Sequence, residues 1–307
     1  MATASKKPRV LITGIEGFTG QYLADLMSSD GYEVFGSAYN ISTKAENIFD
    51  LDLCDRSSVR RVIADIKPDV VAHLAGISFV ATENISQIYE TNFLGSFNLL
   101  EALGNVQSNK PRAVLLASSA NVYGNSTGGV LSEDVTPEPT NDYAVSKYAM
   151  EKMAKLWMDR LPIFVVRPFN YTGVGQAEHF LIPKIVTHFK NKKTVIELGN
   201  LDVWREFGDV RFVTKAYRKL LDLCPAGQTI NICTNQTYSL REVISFCEEI
   251  TGNTIKVLVN PKFVRENEVR TLQGDNTRLK SLIGECEAPH LKETLTWMLN
   301  ESRTGEN

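Results

Sequence analysis

From residue 9 to residue 168, apolar runs of strand length alternate with longer segments in which apolar side chains return every three or four positions. The runs fall at 9–13, 32–36, 69–75, 112–118 and 162–168, and the segments between them predict helices near 18–29, 55–66, 84–104 and 142–160. Strand alternating with helix predicts an α/β fold, a doubly wound parallel sheet with helices on both faces. Such sheets bind ligands at the carboxyl ends of their strands. Beyond about residue 170 the alternation weakens into helices near 179–190, 239–250 and 291–301, with short strands at 194–197 and 229–232. This change of pattern predicts one unit over 1–170 and a smaller lobe built mainly from 171–307. The stretches 88–103 and 145–158 are amphipathic, and periodicity alone says only that each faces a core.

The first predicted strand, Arg9-Val-Leu-Ile-Thr13, runs at once into Gly14-Ile-Glu-Gly17-Phe18-Thr-Gly20 and then into a helical pattern. Glycines at 14, 17 and 20 permit a tight turn, close approach of the backbone to a pyrophosphate, and close packing of helix on strand. A phosphate there would face the positive end of the helix. Three glycines in a loop are often only a flexible turn. Their position between strand and helix makes this turn a predicted dinucleotide site.

A second constellation follows the strand-like Ala113-Val-Leu-Leu-Ala-Ser-Ser119. In Tyr143-Ala-Val-Ser-Lys147 a phenol and an ammonium stand four residues apart, on one face of the predicted helix. An ammonium beside a phenol favours the phenolate, so the spacing predicts a phenol acidified from about 10 and able to exchange a proton near neutral pH. The pattern is weak by itself, since any exposed helix can carry a Tyr and a Lys so spaced. Joined to Ser119 and the glycine turn, it is the proton-transfer equipment of a carbonyl/alcohol redox enzyme.

At 307 residues, 43% of them hydrophobic, the chain can bury a full core. A net charge of −3 and a pI near 5.9 provide no basic field to gather nucleic acid or an anionic membrane surface, so any phosphate site must be local. The amino end, Met1 to Lys7, has no apolar stretch, and no run reaches the roughly eighteen apolar residues that span a bilayer, so a cytoplasmic protein is expected. Cysteines at 54, 224, 233, 247 and 286 lack C-x-x-C spacing and predict thiols in a reducing compartment. His73, His179, His188 and His290 show no metal-ligand spacing, so structural or surface roles and no metal site are expected.

In order and spacing, TGIEGFTG (13–20), HLAG (73–76), SSANVYG (118–124), YAVSK (143–147) and RPFN (167–170) resemble the extended short-chain dehydrogenases/reductases that act on nucleotide sugars, the NAD-dependent epimerase/dehydratase family. The resemblance covers nearly the whole chain. Later segments, RPFNYTGVGQ (167–176), LGNLDVWREFGDVRFVTKAY (198–217) and INICTN (230–235), are similar to the GDP-4-keto-6-deoxy-D-mannose reductase branch. That branch carries RPFNHTGPGQ, a GNL…RDF-DVRD run and YNVCSG. Here Tyr171 stands where His is usual, Val174 replaces Pro, and Glu206 replaces Asp.

The resemblance implies a Rossmann-type sheet that binds NADP or NAD, with a late strand and helix at about 206–234 returning to the first unit. It puts Gly14, Gly17, Phe18, Gly20, the adenine-binding pair Asp52-Leu53, the pyrophosphate-flanking Leu74-Ala75-Gly76, Asn92 and Arg167 on the cofactor side. Ser119 matches the catalytic Ser/Thr that bonds the sugar C4 oxygen, Tyr143 the proton donor, and Lys147 the partner of the nicotinamide ribose. Asn121, Asn170, Gly199, Arg205, Arg265 and Glu268 fall on the substrate side, with Arg205 and Arg265 as guanidinium forks for a diphosphate and Glu268 at the nucleotide ribose. Gly36-Ser-Ala-Tyr-Asn40 has neither an acid for a ribose diol nor an arginine for a 2′-phosphate, and nearby Lys44 tilts the open choice towards NADP.

Related 4,6-dehydratases carry acidic residues just after the Ser/Thr, whereas this chain has Ala120-Asn121. Without that acid and base, reduction or 4-epimerisation is expected rather than dehydration. The leading expectation is reduction of GDP-4-keto-6-deoxy-D-mannose to GDP-D-rhamnose for deoxysugar synthesis. A 4-epimerase with tightly bound NAD is one alternative. A non-catalytic dinucleotide sensor is another, although such proteins commonly lose the Tyr or Lys kept here. In the family the helices corresponding to 88–103 and 145–158 pair across a two-fold axis, which implies a homodimer through a four-helix bundle.

Overall fold

The computed structural model describes residues 7–41, 46–78, 84–124, 129–263 and 270–301. The chain opens with β1 (Arg9–Thr13), α1 (Phe18–Ser29), β2 (Glu33–Ala38), β3 (Ile48–Asp50), α2 (Arg56–Ile66) and β4 (Val70–His73). A helical stretch follows in three parts, α3 (Ile85–Tyr89), a π-helical turn (Glu90–Gly95) and α4 (Ser96–Gly104), and leads into β5 (Ala113–Ala117). Next come β6 (Gly129–Leu131), α5 (Asp142–Lys155), β7 (Ile163–Pro168) and β8 (Tyr171–Thr172). Then follow α6 (Leu181–Lys190), β9 (Val195–Leu198), β10 (Trp204–Arg205), β11 (Gly208–Asp209), α7 (Val210–Leu223) and β12 (Thr229–Ile232). The carboxyl end holds β13 (Tyr238–Ser239), α8 (Leu240–Thr251), β14 (Lys256–Val259), β15 (Thr271–Gly274), α9 (Thr277–Ile283) and α10 (Leu291–Asn300).

Seven strands pair in the order β12-β7-β5-β4-β1-β2-β3, all parallel. Alternate side chains of each strand enter opposite faces, so a sheet covered on both sides needs near-continuous apolar strands. Val10 and Ile12 of β1 pack with α1 and α7, through Leu23, Met27, Phe212, Tyr217 and Leu220. Leu11, between them, packs on the other face with α2, α4 and α5, through Val59, Ile63, Leu99 and Met150. The doubly wound α/β expectation is met.

Strand order reverses at β1, which lies between β2 and β4, so the turn after β1 and the segment after β4 border the crevice where such sheets bind ligands. A third core gathers α6, β9, α8 and α10 through Ile185, Phe189, Leu198, Val243, Leu291 and Leu295. The chain beyond 170 serves both regions, because β12 pairs in register with β7 of the central sheet.

Local chemistry fixes several ends. Asp55 caps α2 by accepting from Ser57 N and Ser58 N, and Asn141 caps α5 by accepting from Ala144 N. Ser239 and Glu242 form a reciprocal capping box at the start of α8. The continuous helix expected over 84–104 is instead interrupted by the π-helical turn, and the helix expected to reach 160 ends at Lys155 in a run of turns. Among the described residues no helix is long and apolar enough to cross a membrane, and no cluster of three His, Cys, Asp or Glu could hold a metal ion.

Candidate active site

The glycine turn is shaped by close contacts that leave no room for a Cβ. Gly14 has φ +72°, and a Cβ there would stand 2.9 Å from Ala75 N and Cα; one on Gly20 would lie 2.3 Å from Gly14 O. Gly14 N is held by Ser37 O at 2.7 Å and Gly17 N by Gly14 O at 3.0 Å. Helix α1 begins at Phe18 with no side-chain cap and no acidic residue in its first turn, so its terminal N–H groups are available to an anion. A cramped turn, an uncapped helix end and the switch point together fit a dinucleotide.

The segment Leu74-Ala75-Gly76 faces this turn across the crevice. A Cβ on Gly76 would stand 2.9 Å from Asn92 Oδ1 and 3.0 Å from Lys147 Nζ, so this wall touches the catalytic candidates. Asp52 lies just past β3 with its carboxylate exposed and Oδ1 accepting from Cys54 N, while Leu53 is buried under α4. The end of β2 offers Ser37, Ala38 and an exposed Tyr39, and Lys44 lies outside the described residues.

Ser119, Tyr143 and Lys147 are brought together and buried. Ser119 follows β5, and its Oγ accepts from Asn121 N at 3.1 Å, which leaves the hydroxyl proton free to hydrogen-bond the Tyr143 phenol. Burial pushes Tyr143 up to about 12, and the Ser119 hydrogen bond opposes that rise. Burial also pushes Lys147 down to about 8, against the pull of Glu151. Lys147 Nζ donates to Ala117 O at 2.9 Å. The sequence reading of a phenol acidified by its neighbouring ammonium is thus corrected: in this structure desolvation dominates both groups.

Arg167 lies in a buried ion pair. Its Nε and Nη2 donate to Glu151 at 2.9 and 2.6 Å, and the guanidinium lies 4.8 Å over the Tyr123 ring. Both charged side chains are buried, and two of the three guanidinium nitrogens serve an internal ion pair, while buried Nη1 has no hydrogen-bond partner. Asn92 is also fully buried, and its amide is used by Ile77 N, Ile77 O and Ser146 Oγ. It therefore supports the crevice wall from behind.

Of the residues expected on the substrate side, Asn121 sits half-buried two residues past Ser119, and Asn170 is exposed after β7. Gly199 allows close approach of Phe263, whose carbonyl would meet a Cβ at 2.4 Å. Arg205, half-buried in β10, directs Nη1 to Trp204 O at 2.9 Å. Arg265 and Glu268 lie outside the described residues.

Two groups escaped the sequence reading as parts of a site. Buried Glu206 accepts from Thr234 N at 2.7 Å and Gly274 N at 2.6 Å, tying the link between β10 and β11 to the loop after β12 and the end of β15, and burial pushes it up to about 7. Tyr171 hydrogen-bonds Thr19 at 2.6 Å and stacks on Phe18 at 6.0 Å, joining the substrate side to the glycine turn. The substitutions Asp to Glu and His to Tyr were visible; their partners, 28 to 152 positions away, were not.

A family model described as GDP-mannose 4,6 dehydratase matches residues 11–296. The chain belongs to this family. Within the GDP-mannose 4,6-dehydratase family and its kin, a GDP-6-deoxy-D-talose 4-dehydrogenase of Aggregatibacter actinomycetemcomitans is 35% identical, covering 90% of this chain and 91% of its own. A GDP-6-deoxy-D-mannose reductase of Pseudomonas aeruginosa is 31% identical, over 97% and 99%. A crystal structure from Burkholderia cenocepacia, named provisionally as an epimerase, is 47% identical with a TM-score of 0.91, over 95% and 97%. The structure of RMD from Pseudomonas aeruginosa with NADPH is 29% identical with a TM-score of 0.82, over 96% and 97%. The protein is an NAD(P)-dependent oxidoreductase of the short-chain dehydrogenase/reductase type.

Proposed function

We propose that the protein reduces the C4 keto group of GDP-4-keto-6-deoxy-D-mannose, giving GDP-D-rhamnose, with NADPH as the preferred reductant. The observation that carries this reading is the buried Ser119–Tyr143 pair with Lys147 one helical turn away, and no carboxylic acid at Ala120 or Asn121. The bound nicotinamide supplies hydride to C4. The chain's own residues manage the oxygen. The Ser119 hydroxyl and the Tyr143 phenol converge on the position a C4 carbonyl would take, where both donate to charge developing on oxygen. A phenol held up to about 12 stays protonated at neutral pH and delivers its proton as that oxygen becomes an alkoxide. Lys147, from the same face of α5, reaches the wall at Gly76 and is the group placed to hold a nicotinamide ribose.

Elimination across C5 and C6 requires an acid and a base beside the serine, and Ala120-Asn121 provides neither. Arg205 is the residue proposed to fork the diphosphate and Asn170 to touch the sugar or a phosphate; the lobe around α6, α8 and α10 is assigned to the nucleotide. The 35%-identical talose dehydrogenase supports a second reading with the same chemistry, in which hydride arrives on the other face of C4 and the product is GDP-6-deoxy-D-talose. We also assign α3–α4 and α5 to a homodimer contact, for which exposed Ile85, Leu94, Val145 and Leu156 supply an apolar surface. Incubation with NADPH or NADH and the GDP- or dTDP-linked ketosugar tests the reading. Stoichiometric oxidation with the GDP sugar supports it; no consumption of either cofactor would overturn it, and the C4 proton couplings of the product separate the two epimers.

A further inference from the structure

A buried chain of polar groups crosses from β1 to the π-helical turn behind the cofactor crevice. His73, the last residue of β4, places Nδ1 2.7 Å from Thr13 Oγ1 and Nε2 2.8 Å from Ser96 Oγ. Ser96 Oγ lies 2.6 Å from Asn92 O, a carbonyl that can only accept. The hydroxyl has one proton and gives it there, so it accepts from His73, and the ring proton must sit on Nε2. Nδ1 is then an acceptor, Thr13 donates to it, and the Thr13 oxygen accepts Ala75 N–H at 3.2 Å. One arrangement satisfies every group: Ala75 to Thr13, Thr13 to His73, His73 to Ser96, Ser96 to Asn92. Burial pushes His73 down to about 3, which keeps the ring neutral as this arrangement requires.

The far end of the chain matters for the site. A π-helical turn shifts the usual backbone pairing by one residue, and the Ser96 hydroxyl fastens the carbonyl of Asn92 within it. The Asn92 side chain then grips both backbone groups of Ile77, at 2.8 and 3.1 Å, and Ser146 Oγ at 3.0 Å. Ser146 Oγ in turn donates to Tyr143 O at 2.7 Å.

We propose that His73 is a positioning residue, which through Ser96 and Asn92 sets the Gly76–Ile77 wall of the crevice at its working distance from Lys147 and Tyr143. This inference rests on the reading of the crevice as the dinucleotide site. The two ring nitrogens have separate mimics. The terminal amide nitrogen of Gln occupies the place of Nε2, and the terminal oxygen of Asn that of Nδ1. His73→Gln therefore keeps the Ser96 arm, whereas His73→Asn keeps only the Thr13 arm.

The test is direct titration of NADPH, without sugar, into wild type, His73→Gln, His73→Asn and His73→Phe, with 15N NMR of the wild-type ring. The expected result is a Kd within about threefold of wild type for Gln and raised about tenfold or more for Asn and Phe, as loss of preorganised geometry requires. The NMR spectrum is expected to show an Nε2–H tautomer that does not titrate from about pH 5 to 9, unlike an ordinary histidine. Equal Kd values for all four proteins, tighter binding by Asn than by Gln, or an Nδ1–H or titrating ring would each overturn the proposal. The NMR arm decides even if a variant fails to fold. Wild type that binds no dinucleotide would instead refute the crevice reading, and the proposal would fall with it.

Discussion

Replacing Arg167 with Met separates an internal ion pair from a cofactor contact. The guanidinium gives Glu151 two hydrogen bonds, and the paired side chains are 6% and 5% exposed. Met refills much of the stem but leaves the carboxylate with the Ser118 hydroxyl, 2.5 Å away, and without its hydrogen-bonded countercharge, only the weaker pull of Lys147 remaining. Removing one partner of a buried pair costs about 3–5 kcal/mol, because the remaining charge stays desolvated. Removing both, as in Arg167→Met with Glu151→Leu, is expected to return stability to within about 1–2 kcal/mol of wild type, since the desolvation penalty goes with the pair. Urea denaturation measures the first quantity, and NADPH titration of the same proteins measures the second. The single variant should be destabilised by the stated amount while its Kd stays within about threefold, a change of under about 1 kcal/mol. A single variant as stable as wild type, whose Kd rises tenfold or more, would refute the reasoning and return Arg167 to the cofactor.

Tyr143→Phe should lower kcat by about 10²–10⁴-fold while NADPH binding is unchanged, and turnover near the wild-type rate would remove the phenol as proton donor. Because burial sets Lys147 at about 8, the reductive rate should fall as pH rises through about 8 and the ammonium is lost; a rate that stays level well above that pH would contradict the assignment. Glu206 is held up to about 7 from 4.5, so the folded state binds the proton more tightly than the unfolded state. Its contribution to stability is therefore present below about pH 4.5 and lost as pH rises through about 7, amounting to about 3 kcal/mol. Glu206→Gln should abolish that part of the pH dependence in urea denaturation, and parallel profiles for the two proteins would show that Glu206 does not titrate there.

What the sequence made legible is what short-range geometry determines. Gly14, Gly17 and Gly20 announce a turn because their spacing constrains a few consecutive residues, and Tyr143 and Lys147 share a face because four residues make about one helical turn. Apart from the three-residue strands β3 and β6, the order of strands and helices up to β7 followed from periodicity for the same reason. The ion-pair partner of Arg167 depends on where α5 crosses the sheet, and no spacing carries that information. The acidity of Tyr143 was misjudged because adjacency to Lys147 is visible in sequence and depth of burial is not. The two-residue strands β10, β11 and β13 are too short for periodicity and exist through pairing with distant segments. The π-helical turn at Glu90–Gly95 leaves the apolar pattern almost unchanged, so it too appears only in the folded chain.

Single turnover with NADPH carrying deuterium at the transferable position of its nicotinamide tests the central claim most directly. Mixed with GDP-4-keto-6-deoxy-D-mannose and examined by NMR, the protein should give one oxidised cofactor per sugar and a single deuterium at C4 of a GDP-6-deoxyhexose. Unchanged NADPH, or a product with no deuterium at C4, would contradict the account and point instead to an enzyme that interconverts 4-hydroxy sugars on a retained NAD.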